Sequence, residues 1–169
     1  LILHMWGRKI VGSAGVLPIL HGSTLWELAW DDAIVGSART CQARTDVLWQ
    51  LISAEYNNQQ VPTSVRVPLL KWSMICSSES RNPKHYPMLG GIKAAQQKHL
   101  VGPMRAVLQK IMSEPYGGRN ADKLPHLVAI YENLERFYEI CDMHSYVIPM
   151  AEALDLYEHV HTLLVHYSF

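Results

Sequence analysis

Histidines and carboxylates at helical spacing are the residues of this sequence with types and spacing suited to chemistry. Nine of the 169 residues are histidine. Glu158 and His161 form a Glu-x-x-His pair, the spacing by which carboxylate-bridged di-iron bundles aim two ligands inward from one helix. Such a site needs a second Glu-x-x-His and two more glutamates, and the sequence holds no second copy. We therefore expect no metal and no cofactor.

Two Asp–His pairs stand four residues apart, Asp122 with His126 and Asp155 with His159. At that spacing on a helix, a carboxylate can orient an imidazole for acid–base work. Far more often such pairs are surface contacts that contribute a few tenths of a kcal/mol. A metal-dependent enzyme that uses histidine and carboxylate on the last two helices is therefore the third of three functional hypotheses.

Nucleophilic and phosphate-binding motifs are weaker still. Cys41, Cys76 and Cys141 fall within apolar helical patterns, which indicates buried, unreactive thiols in a reducing, intracellular compartment. No Gly-x-Ser-x-Gly motif is present, and the glycines at 7 and 12 are followed by Ser13 where a phosphate loop needs lysine. The sequence predicts no catalytic residue, and the chain is expected not to be an enzyme.

Helices are the elements that must position all of these side chains. Apolar residues recur at steps of three and four in residues 24–56, as one helix or as two with a break at Gly36, and in 122–142 and 147–167. Residues 69–76 suit a short helix, and 92–112 are helical by content with a kink or boundary at Pro103. No segment alternates with period two. In the last of these helices, His159 and His166 share a face with Leu156 and Leu163. The apolar residues in step are Val147, Met150 or Ala151, Leu154, Tyr157, Val160, Leu164 and Tyr167. We predict a compact all-α bundle of five to seven helices.

The first 22 residues differ from the rest in their glycine and proline content. Gly7, Gly12, Gly15, Pro18 and Gly22 predict an irregular N-terminal arm, followed by a helical domain over 23–169 that begins at Ser23 or Thr24. The chain starts at a leucine and stops abruptly, which indicates a piece of a longer polypeptide. No apolar stretch is long enough to span a membrane.

Charge is distributed unevenly along the chain, although the net charge is zero. Residues 61–123 hold ten lysines and arginines against three carboxylates, a local charge of +7, and the remainder is correspondingly acidic. A basic segment with tyrosines in its loops is typical of a surface that contacts RNA or single-stranded DNA. The predicted nucleic-acid-binding residues are Arg66, Lys71, Arg81, Lys84, Tyr86, Lys93, Lys98, Arg105, Arg119 and Lys123.

Two non-catalytic functions therefore precede the enzyme. The first is a helical interaction and assembly domain whose basic segment binds nucleic acid, with a nucleocapsid- or capsid-like role as one form. The second is a protein–protein scaffold subunit, in which the basic segment meets acidic helices of its own chain or of a neighbouring copy. Both predict a homo-oligomer, with Trp6, Leu17, Trp26 and Trp30 as interface anchors.

Overall fold

The fold is known from a computed structural model, which describes residues 16–76, 87–113, 118–144 and 147–167. Its α-helices are α1 (Val16–Ala29), α2 (Asp32–Val35), α3 (Cys41–Asn58), α4 (Trp72–Ile75), α5 (Ala94–His99), α6 (Val101–Ser113), α7 (Leu124–Met143) and α8 (Met150–Tyr167). A single 3₁₀ turn covers Thr63–Val65. The described residues contain no strand, and six of the helices are longer than four residues, so the predicted all-α bundle is confirmed.

The long helices form a series of packed neighbours. α8 lies on α7, α7 on α6, α6 on α3, and α3 on α1. Four of them contribute fully buried side chains to one continuous core, among them Leu25 of α1, Ile52 of α3, Leu108 of α6 and Leu134 of α7. Among the described side chains of α8, Leu156 and Val160 are partly buried against that core.

Helix α1 begins at Val16 and not at Ser23 or Thr24, so residues 16–22 do not belong to an irregular arm. Pro18 is accommodated because the first turn of a helix has no partner for its N–H groups. Gly22 lies inside the helix at a close approach to the segment that contains Met88. The predicted capping by Ser23 or Thr24 is therefore wrong, and residues 1–15 of the proposed arm lie outside the described part of the chain.

The predicted helix over 92–112 is divided at Leu100 into α5 and α6. Pro103 explains the division, because it has no N–H to bond a carbonyl one turn earlier. The backbone N–H of Leu100 instead bonds the carbonyls of both Gln96 and Gln97 and closes α5 with a tight turn.

A buried carboxylate holds the end of α1 against the start of α7. Asp31 is 1% exposed and caps α2, where its Oδ1 accepts the backbone N–H of Ala33 at 3.1 Å. Its Oδ2 accepts the side-chain N–H of Asn120 at 3.0 Å, and the same amide donates to the carbonyl of Glu27 at 3.2 Å. Asn120 thus fixes the turn that leads into α7.

We expect Asn120→Ala to lower the free energy of unfolding by about 2 kcal/mol, because a buried carboxylate loses a donor and a buried carbonyl loses another. Asn58→Ala is the matched control, since Asn58 donates only to Glu55 at the surface. Urea unfolding of both variants measures the difference. Equal stability of the two variants would contradict the assignment of Asn120 as a structural anchor.

Candidate interaction surface

Seven of the ten predicted nucleic-acid-binding residues lie in the described part of the chain. Arg81, Lys84 and Tyr86 lie outside it. The seven are Arg66, Lys71, Lys93, Lys98, Arg105, Arg119 and Lys123. They are distributed from the 3₁₀ turn to the start of α7, and most of them contact acidic or polar groups of the same chain.

Four of these cations form ion pairs within the chain. Lys98 pairs with Asp142 of α7, and Arg105 pairs with Glu135 of the same helix. Arg119 and Lys123 share Glu27 of α1, with N–O distances of 2.9 and 3.0 Å. The basic segment therefore meets the acidic helices of its own chain at these four positions.

The remaining cations of the basic segment differ from one another. Arg66 donates to the carbonyl of Val61 and to the side chain of Asn57, both at 2.6 Å, so its guanidinium holds the turn after α3. Lys71, Lys93 and Lys110 are exposed and form no ion pair with any residue that the structure describes. These three lysines are the described part of the basic segment that remains available to an anionic partner.

The predicted interface anchors that the structure describes pack inside the chain. Leu17 has no exposed surface and belongs to the core, so its assignment to an interface is wrong. Trp26 and Trp30 are half-buried against that core, with their rings edge to face at 6.5 Å, and Trp30 meets Trp72 in the same way at 6.0 Å. Trp6 lies outside the described residues.

Helix α8 has two faces of different character, and polar groups of its inner face contact α7 and the residue that follows it. Asp155 accepts from Arg136 at 3.2 Å, and His159 bonds Asn133 through Nδ1 at 2.7 Å and Asp155 through Nε2 at 3.1 Å. His144, just after α7, contacts Glu152. These contacts fix the rotation of α8 about its axis, and thereby determine which side chains face outward.

The outer face of α8, which begins in the residues just before the helix, is apolar and exposed. Its large members are Val147 (80% exposed), Met150 (78%), Leu154 (58%), Tyr157 (67%) and Val165 (45%). The first four follow one another at steps of three and four, the spacing of a helix–helix packing seam. We call these five residues the outer stripe. A run of large apolar side chains in contact with water is typical of an interaction surface.

The outer stripe carries little charge. Residues 147–167 contain no lysine or arginine, and two of their three carboxylates, Glu152 and Asp155, contact α7 and its end. Glu158 is the third, and it is exposed beside the stripe. The surface that α8 presents is thus apolar with one carboxylate at its edge.

The Glu-x-x-His pair does not point into the bundle. Glu158 and His161 are both exposed, and the His161 ring stacks on Tyr157 with the ring centroids 6.3 Å apart. Among the described residues, no group of three or more His, Cys, Asp or Glu side chains is arranged to hold a metal ion. The pair therefore belongs to the outer face of α8.

A second polar site lies in a cavity of 460 Å³ between α1, the start of α7 and the end of α8. His126 and His166 face each other there, with Nδ1 atoms 3.0 Å apart and ring centroids 5.3 Å apart. The distance between the ring centroids equals the distance between the two nitrogens plus one ring radius for each imidazole. The two nitrogens therefore lie on the line that joins the ring centres and point at each other. This arrangement suits one shared proton, whereas a metal ion needs both lone pairs to converge on a third point. Sequence spacing did not bring these two histidines together.

The burial predicted for the three thiols is found at two of them. Cys41 and Cys76 are buried, and Cys141 is half-buried. Burial raises the pKa of the Cys141 thiol, and the nearby Asp142 carboxylate acts in the same direction. A raised pKa disfavours the reactive thiolate.

Comparisons with known proteins identify no relative of this chain. Searches against protein-family models, curated proteins and solved structures give no match to this chain. Within the described residues, none of the helices combines the length and apolar character that a membrane crossing requires. The molecule is therefore defined by its all-α fold and by the surfaces described above.

Proposed function

We propose that this chain is a non-catalytic helical assembly domain that associates with a second copy of itself through the outer stripe of α8. The observation that carries the proposal is the exposure of Met150, Leu154 and Tyr157 along one side of the helix and of Val147 just before it. Large apolar side chains at consecutive helical steps gain free energy when a complementary surface removes them from water.

The distribution of charge favours a protein partner for this surface. A nucleic acid or an anionic membrane requires lysine or arginine, and α8 has neither. Lys98 and Arg105, which the sequence predicts to contact phosphate, contribute to the packing of α5 and α6 against α7. The second hypothesis from the sequence, a scaffold whose basic segment meets acidic helices, agrees with these contacts.

A second copy is the partner that matches the outer stripe. The stripe lacks the positive charge that would select an acidic protein, and its single edge carboxylate, Glu158, gives a basic protein little to recognise. An apolar, nearly uncharged face is complementary to itself, which is what a twofold interface between identical chains requires.

Nucleic-acid binding by the basic segment stays a prediction. Lys71, Lys93 and Lys110 are the exposed cations of the segment that form no ion pair with a described residue, and the predicted Arg81 and Lys84 lie outside the described part of the chain. Fluorescence anisotropy with short single-stranded RNA and DNA distinguishes the two functions. Assembly through the stripe predicts that self-association proceeds in nuclease-treated protein and depends weakly on salt, whereas phosphate contacts weaken steeply as salt rises.

The experiment that tests the proposal compares Leu154→Glu with Leu69→Glu by sedimentation velocity. Leu154 lies in the outer stripe, whereas Leu69 is 45% exposed in the connection before α4. Because a twofold interface contains each substitution twice, we expect Leu154→Glu to weaken self-association by about 100-fold or more. Leu69→Glu should leave self-association unchanged.

The same pair of variants shows how the proposal fails. If both variants sediment like the wild type in a self-associated state, the interface lies elsewhere on the molecule. If the wild-type chain does not self-associate at any concentration, the assembly function itself is wrong. Circular dichroism of both variants checks that α8 remains helical.

A further inference from the structure

We infer that two copies pair their α8 helices antiparallel, with the twofold axis between Leu154 and Tyr157. This inference rests on the proposed assembly function and adds to it the orientation and register of the two helices. It follows from the extent of the outer stripe, from the position of His161 and from the direction of the helix dipoles.

The register follows from the ends of the stripe. Among the described side chains, the exposed apolar residues run from Val147, just before the helix, to Val165, and the helical part from Met150 to Val165 is about 22 Å long at the rise of an α-helix. Two such stripes overlap completely in an antiparallel pair only when the axis passes near their midpoint, between Leu154 and Tyr157. Any other register leaves large apolar side chains of both copies in water.

Complete overlap also occurs in a parallel pair, but that arrangement places unfavourable neighbours together. His161 continues the stepping pattern of Leu154 and Tyr157 and is exposed. In a parallel pair it would lie against His161 of the second copy, with two polar imidazoles in an apolar seam. In the antiparallel register it lies against Met150, and the thioether can adapt its shape to the ring.

The position of Glu158 and the helix dipoles also favour the antiparallel pair. Glu158 lies at the edge of the stripe, where the antiparallel register brings it near the exposed Ala151 of the second copy rather than another carboxylate. The dipoles of two antiparallel helices attract, whereas those of parallel helices repel. Leu154 of each copy then packs against Tyr157 of the other, on both sides of the axis.

Cysteine cross-linking tests the inference. We would introduce Leu154→Cys and Tyr157→Cys separately in chains that carry Cys141→Ala, because Cys41 and Cys76 are buried. The two proteins, oxidised alone and as an equimolar mixture, are analysed by non-reducing mass spectrometry. Leu69→Cys mixed with Tyr157→Cys measures the background from random collision.

The antiparallel register predicts that the mixture forms a 154–157 disulfide faster than either protein alone forms a disulfide with itself. A disulfide requires Cα atoms about 4.4–6.8 Å apart. In this register, residue 154 of one copy is level with residue 157 of the other. The 154–154 and 157–157 pairs are offset by about 4.5 Å along the helix axis, which adds to the distance between the two helices. Fast 154–154 and 157–157 disulfides would establish a parallel pair and overturn the inference while leaving the assembly function intact. A sedimenting dimer without any specific disulfide would also overturn it. A chain that stays monomeric would overturn the assembly function as well.

Discussion

Gly22→Ala will destabilise the fold more than other small substitutions, because helix α1 has no room for a methyl group at this position. A Cβ atom at Gly22 would lie 2.4 Å from the Cα of Met88 and 2.5 Å from the backbone nitrogen of Leu89. Both contacts are with backbone, so no side-chain rotation relieves them. The helix and the segment around Met88 would have to move apart.

That movement breaks specific hydrogen bonds. The backbone N–H of Leu89 donates to the carbonyl of Pro18 at 2.8 Å, and that of Met88 donates to the carbonyl of Ile75 at 2.9 Å. These bonds tie the segment to α1 and to α4. Overpacking costs about 1–3 kcal/mol by itself. The lost hydrogen bonds add to it, so we expect the free energy of unfolding to fall by about 3 kcal/mol, despite the helix propensity of alanine.

Gly102→Ala is the matched control, since it places the same methyl group in another helix. A Cβ atom there would approach Oε1 of Gln59 at 2.8 Å and Oε1 of Glu135 at 3.0 Å, and both are ends of flexible side chains. We expect Gly102→Ala to leave stability unchanged or to raise it by up to about 1 kcal/mol. Thermal and urea unfolding measure both variants. Equal stability of the two would contradict the close packing of α1 against the segment at Met88.

Acidification will destabilise the fold through His21, which lies in the core with no exposed surface. Its Nε2–H donates to the carbonyl of Gln97 at 2.9 Å, which leaves Nδ1 to accept the hydroxyl of Tyr131 at 2.8 Å. Burial lowers the pKa of His21 to about 4, and the hydrogen bond to Gln97 opposes that shift in part. The imidazole is therefore held neutral in the folded chain.

The sign of the pH dependence follows from the two states. The unfolded chain binds a proton at His21 near the ordinary pKa of about 6.5, and the folded chain binds it only near pH 4. Stability from this residue is therefore complete above about pH 6.5 and is lost as the pH falls from there toward 4. Between pH 7 and pH 5 the loss amounts to about 2 kcal/mol.

His21→Gln removes the titration and keeps both a donor and an acceptor. We expect the variant to be less stable at neutral pH, but to lose about 2 kcal/mol less than the wild type between pH 7 and pH 5. Urea unfolding at both values measures the difference. A His21 imidazole that titrates near 6.5 by NMR in the folded chain would contradict this account.

The helices were predictable where one face is continuously apolar and the other charged. α7 extends over Leu124–Met143, close to the predicted 122–142, because Tyr131 and Leu134 share one side of the helix with Leu124 and face the core. Local pattern is sufficient there. The start of α1 was not predictable from local pattern. Gly22 is a glycine inside a helix because the backbone at Met88, 66 residues later in the chain, packs too closely for a side chain.

The surfaces depend on tertiary contacts, which one sequence does not reveal. The sequence shows the charge asymmetry but not how the charges pair. Glu27 binds Arg119 and Lys123, which lie 92 and 96 residues later in the chain. In α8 the sequence shows two apolar faces, and only the contacts of His159 and Asp155 with α7 determine which of them is exposed. The approach of His126 to His166 has no signal in residue spacing.

Sedimentation equilibrium of the unmodified, nuclease-treated chain, over about a hundred-fold range of concentration and at low and high salt, tests the central claim most directly. Association through the outer stripe predicts a mass that rises with concentration to twice that of a single chain. High salt should leave this rise unchanged, because the buried surface is apolar. A mass that stays at one chain throughout, or that doubles only when RNA or DNA is added back, would contradict assembly through α8.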